Sequence, residues 1–77
     1  ETSIAFDLAA SARVRLVITD VHGARVRTVL DENRPAGAHT VRWNGRNDAG
    51  NAVASGIYFV RMQAGAYSSV RKLVLLK

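Results

Sequence analysis

Cysteine is absent from the 77 residues, which removes disulfides, thiolate metal sites and a cysteine nucleophile together. It leaves the compartment open, because a secreted domain can also lack cysteine. No apolar run approaches the roughly 18 residues of a membrane span. Residue 1 opens a strand-like segment without signal-peptide layout, so the chain reads as a piece of something longer. Helical signal is missing as well: no window of about 10 residues carries an apolar stripe at the helical period. Proline occurs once, at Pro35, and the aromatics are only Phe6, Trp43, Tyr58, Phe59 and Tyr67. Once core positions are filled, few remain for a stacking platform.

The parts of an enzyme are also scarce. His22 falls in a turn and His39 at a strand start, only His22 has an acidic neighbour, Asp20, at short spacing, and no serine sits in a nucleophile-elbow context. Neither GxGxxG nor a Walker loop occurs, so no phosphate cradle is signalled. No cofactor, metal or catalytic residue is expected.

What is present is base and alternation. Eleven Lys and Arg against six Asp and Glu give a net charge of +5, which raises nucleic acid as a partner. The arginines are scattered singly at alternate positions, mostly without an aromatic neighbour, and that is the look of solvated strand faces. Nucleic acid is therefore not expected. A chain this short buries only about 60–65% of its unfolded surface, and its stability is on the order of 4–12 kcal/mol, so most apolar residues must be structural.

Every segment alternates at period two, which makes the chain all-β. Ile4, Phe6 and Leu8 share one face, and Val14, Leu16 and Ile18 another, with Arg13, Arg15, Val17 and Thr19 outward. Asp20–Gly23 is a tight hairpin whose glycine closes a type I turn as a G1 bulge. That turn predicts Thr19 opposite Arg25, Ile18 opposite Val26 and Val17 opposite Arg27. "DENRPAGAH" reads as a polar loop before a strand at His39 to Asn44, with Val41 and Trp43 inward. Residues 56–64 are apolar on both faces, as a central strand is. Gly65 makes the last turn, and the closing apolar run to Lys77 loses its alternation after Lys72, so its faces stay unassigned. About seven short antiparallel strands in one domain, residues 1–77, point to a small sandwich of the immunoglobulin or fibronectin type III kind.

The stretch WNGRNDAGN raises one sharper possibility, since Asn44, Asn47, Asp48 and Asn51 could offer oxygens to calcium. Only Asp48 is a carboxylate, and the EF-hand spacing is not met. Gly45 and Gly50 allow positive φ, and Asn and Asp bond their own backbone in turns, so a self-capped reversal without ligand is expected. Gly56 is expected to permit a bulge or a close approach beside Trp43.

Taken together, "IAFDL", "VRLVITDVHGARVRTVL", "PAGAHTVRWNGRNDAGNAVASGIYFVRM" and "RKLVLLK" resemble the immunoglobulin-like C-terminal modules of secreted bacterial proteins. Two groups share the pattern: the sorting domain of type IX secretion cargo and the immunoglobulin-like domain of the flagellar hook-capping protein FlgD. The marks are Asp20 to Gly23, Pro35 to Gly37, Trp43-x-Gly45 leading through Asp48 to Gly50, Ser55-Gly56-x-Tyr58, and the Lys72 to Lys77 tail. His22 departs from the apolar residue usual there, so a looser turn is expected.

The resemblance implies a non-catalytic export address read through the last strand. Its recognition residues would be Gly56, Tyr58, Val70, Lys72, Leu73, Val74, Leu75, Leu76 and Lys77. The implied partners are the secretion machinery, a surface sortase and an upstream domain of the parent protein. The implied location is the exterior of a Gram-negative outer membrane, reached through the periplasm, with the domain itself a monomer and free of membrane spans. The alternatives are a FlgD-like hook-cap scaffold and a passive or weakly carbohydrate-contacting module of an extracellular enzyme.

Overall fold

Alternation at period two turns into strand wherever the sequence carries it. The computed structural model describes residues 1–76, and these contain six strands and no helix. They are β1 Thr2–Leu8, β2 Ala12–Thr19, β3 Arg25–Arg34, β4 Gly37–Trp43, β5 Gly56–Ala64 and β6 Tyr67–Leu75. β1 pairs with β4, and the other four form a sheet of order β3-β2-β5-β6, all antiparallel. The result is a small immunoglobulin-like sandwich, one strand short of seven.

One core fills the space between the sheets. Ile4, Phe6, Leu8 and Trp43 come from the two-stranded side; Val14, Leu16, Ile18, Leu30, Tyr58, Val60, Met62 and Leu75 come from the other. Burying each such side chain is worth about 1.5–3 kcal/mol, which is what holds so short a chain against its conformational entropy. β5 lies between β2 and β6, the central place its two apolar faces predict.

Three expectations need correction. Asp31 to Arg34 are strand, and only Pro35 and Ala36 separate β3 from β4. Polarity argues against a strand only where its faces are buried, and here most are exposed. Asp31 and Asn33 lie opposite Arg15 and Arg13, and the Asp31 carboxylate takes the Arg13 guanidinium at 3.0 Å, so opposite charges stabilise the pairing.

The hairpin register also differs. Thr19 faces Arg25 as expected, but Ile18 faces Arg27 and Val17 faces Thr28, because the ladder shifts between Ile18 and Thr19 and again between Leu16 and Val17. The residues left over on β3 are Val26 and Val29, both partly buried against the core beside buried Leu30. Strict alternation would expel either Val29 or its neighbour Leu30; two bulges let both reach the core and sharpen the local twist.

Gly56, finally, is no close approach. A Cβ there would meet nothing within 4 Å, and the residue pairs normally with Leu75. Its φ of 154° is what calls for glycine.

Candidate functional site

The loop between β4 and β5 is built around its own amides. Asn47 Oδ1 accepts the N–H of Ala49 at 3.1 Å and of Asn51 at 3.0 Å, and Asn44 Oδ1 accepts that of Arg46 at 3.1 Å. Main-chain bonds from Asn47 N to Asn51 O and from Val53 N to Gly45 O, both 2.9 Å, flank an Arg46–Ala52 bridge. Gly45 and Gly50 supply the positive φ, at 74° and 86°. Trp43 anchors the loop to the core: fully buried, it donates its indole N–H to Arg46 O at 2.9 Å and meets the Tyr58 ring edge-on at 5.3 Å. The Tyr58 hydroxyl donates to Ala54 O at 2.6 Å.

Asp48 does something the sequence does not show. Rather than capping its own turn, it clips the loop to the outer edge of β3. Its N–H donates to Val26 O at 3.0 Å, its Oδ1 accepts the Thr28 N–H at 3.1 Å, and its Oδ2 lies 3.4 Å from Arg25 Nε. An edge strand leaves a row of unpaired backbone groups open to a foreign strand, and the loop covers part of that row. Both carboxylate oxygens therefore already have protein partners.

Neither histidine sits in a catalytic arrangement. His39 Nε2 lies 2.7 Å from Pro35 O and its ring stacks on Phe6 at 5.2 Å. His22 is exposed in the β2–β3 turn. Asp20 organises that turn, its Oδ1 accepting the N–H groups of His22 at 2.9 Å and Ala24 at 3.0 Å, so an exposed His22 needs no packing partner. Among the described residues no three His, Asp or Glu side chains gather at one point.

The segment expected to carry recognition forms the last strand, and it is not a loose tail. β6 pairs with β5 along its whole length, and Leu75 is fully buried. Leu73 is partly buried against the core. Val70, Lys72 and Val74 point outward, and Leu76 is exposed. Tyr58 is buried, Gly56 is half-buried, and Lys77 lies outside the described residues. Arg71 reaches across to the other sheet and donates to Ala5 O at 2.6 Å. Among the described residues, the outer edge of β6 pairs with no strand.

Arg15, Arg25 and Arg61, which look like isolated solvated charges in sequence, come together around one groove of about 540 Å³ on the outer face of the four-stranded sheet. Period two places Arg15 and Arg61 outward on their strands; only the β2–β5 register makes them neighbours, with Val17 directly opposite Arg61 and Arg15 opposite Gln63.

Comparison with known proteins bears on the whole of this architecture. The family model described as the FlgD Ig-like domain matches residues 1–68. Among solved structures, FlgD from P. aeruginosa superposes with a TM-score of 0.75 at 22% identity, over 94% of this chain and 57% of that one. The chain thus spans little more than half the length of that protein. No curated protein matches it.

Proposed function

The chain belongs to the FlgD Ig-like domain family, and from that premise we propose that it is a non-catalytic scaffold module of a FlgD-type hook-capping protein. The family match over residues 1–68 is the observation that carries this reading. The geometry agrees with it: the loop amides, His39 and Asp48 are engaged in structural contacts, His22 is exposed in a turn, and the surfaces left over are a sheet face and a sheet edge. Such a module contributes rigid shape and contact area, and carries no chemistry of its own. An exported, extracytoplasmic location and an adjoining domain in the same protein belong to the proposal.

A sorting role for β6 is the second reading, and one observation favours it. Among the described residues the outer edge of β6 has no partner strand, and Val70 and Val74 are exposed beside it, an arrangement open to strand addition. Residues 69–77 lie beyond the matched stretch.

Deleting the domain from the protein that carries it separates the two. The scaffold reading expects the shortened protein to be exported normally and to fail in completing the hook. Intact hook assembly without the domain, or loss of export itself, would overturn it; the latter outcome, dependent on a type IX system, would establish the sorting role.

A further inference from the structure

We propose that the groove on the outer face of the four-stranded sheet is a docking site for an extended acidic segment of a partner protein. Its floor and walls come from β2, β5, β6, the β2–β3 turn and the start of β3, and its volume of about 540 Å³ falls within the range of ligand pockets. Three guanidinium groups, Arg15, Arg25 and Arg61, line it, and no Asp or Glu does. Carboxylates on the adjoining segments already have partners: that of Asp20, in the turn between the lining residues Thr19 and Gly23, accepts the N–H groups of His22 and Ala24. Asp48 lies against Arg25 at 3.4 Å, and Asp31, opposite Arg15 in the ladder, takes Arg13 at 3.0 Å.

The concavity is built in. Thr19 lies on the outward phase of β2, yet only 6% of it is exposed. The two β2–β3 register shifts lie at this corner of the sheet, where bulges increase local twist, and Gly23 and Arg25 line the groove there beside Thr19. Arg15 and Arg61 are diagonal neighbours across the β2–β5 ladder, roughly 7–8 Å apart at the backbone. Like charges at that spacing repel slightly, and a carboxylate between them relieves the repulsion through fork-shaped, charge-assisted bonds.

The rest of the lining selects a polypeptide. Val17 and Val70 give apolar contact, Gln63, Ser68 and Ser69 give neutral hydrogen-bonding groups, and none of the lining residues is aromatic. Single-stranded nucleic acid relies on aromatic faces for stacking; an acidic peptide with apolar residues between its carboxylates does not. Nothing in the groove depends on the hook-cap assignment, and its test reads binding, not assembly.

The probe is a fluorescein-labelled peptide, Glu-Val-Asp-Val-Glu, titrated with the domain by fluorescence anisotropy. Binding is expected at about 50 mM salt and should weaken severalfold by about 300 mM, as screening requires. The double variant Arg15→Gln, Arg61→Gln should lose at least about tenfold in affinity, the scale of one charge-assisted bond. Arg42→Gln, which removes a solvated guanidinium from β4, should bind like the parent. In the unaltered protein, the peptide should shift the backbone amide resonances of Thr19, Gln63 and Ser68, which locates the site without any substitution. Absence of binding, shifts confined to other residues, equal binding of the Gln-Val-Asn-Val-Gln peptide, or tighter binding of an oligothymidine would each overturn the proposal.

Discussion

Trp43 joins three roles in one side chain. It fills the core, its indole N–H ties the β4–β5 loop to the sandwich through Arg46 O, and its ring supports Tyr58. Trp43→Ala should therefore cost about 3–5 kcal/mol, a large part of the total for a chain this short. Trp43→Phe keeps most of the apolar burial while removing the donor, and should cost clearly less. Urea melts decide the matter, and a loss below about 1 kcal/mol for the alanine variant would mean the cavity collapses or the residue is not core. At Gly23 the constraint is of another kind: φ is 83° and no atom lies within 4 Å of where a Cβ would stand, so any side chain fits the space but not the backbone conformation.

At the scale of elements, the loop containing Asp48 behaves as a partial cover for the β3 edge. Its carboxylate is about half exposed, so the ion pair with Arg25 contributes little and the bond to Thr28 N–H contributes more. Asp48→Ala should cost about 1 kcal/mol and speed hydrogen exchange at the Thr28 amide in particular. Asp48→Asn, which can still accept that bond, should protect the amide largely as the parent does. Calcium should leave the melting temperature of the parent unchanged, since a ligand bound only to the folded state must raise it. A rise of several degrees that Asp48→Ala abolishes would show that the carboxylate exchanges its protein partners for the ion.

For the whole molecule, the open edge of β6 is the chief hazard, and charge guards it. Lys72 sits between Val70 and Val74 on the outer face and opposite Phe59, near exposed Ile57. A charge on an edge strand discourages pairing with a second copy, so the domain should sediment as a monomer, and Lys72→Val should drive concentration-dependent association. A dimeric parent, or a variant that stays monomeric, would show that Lys72 is not the guard. Much of this molecule was legible in residues read one strand at a time. Ile4, Phe6 and Leu8, then Val14, Leu16 and Ile18, declare their inward faces by alternation alone, and Asp20 with Gly23 declares the hairpin, because strand phase and turn type are local properties of the backbone. The polar run Asp31 to Arg34 looks like a loop in sequence because its partner charges lie on another strand, and the Val26 and Val29 bulges leave no local mark because a register slip is fixed by packing across a ladder. Asp48 clipping β3 and the three arginines meeting in one groove were decided only by tertiary structure: each depends on which strands lie side by side, a matter of long-range contacts that no local period encodes.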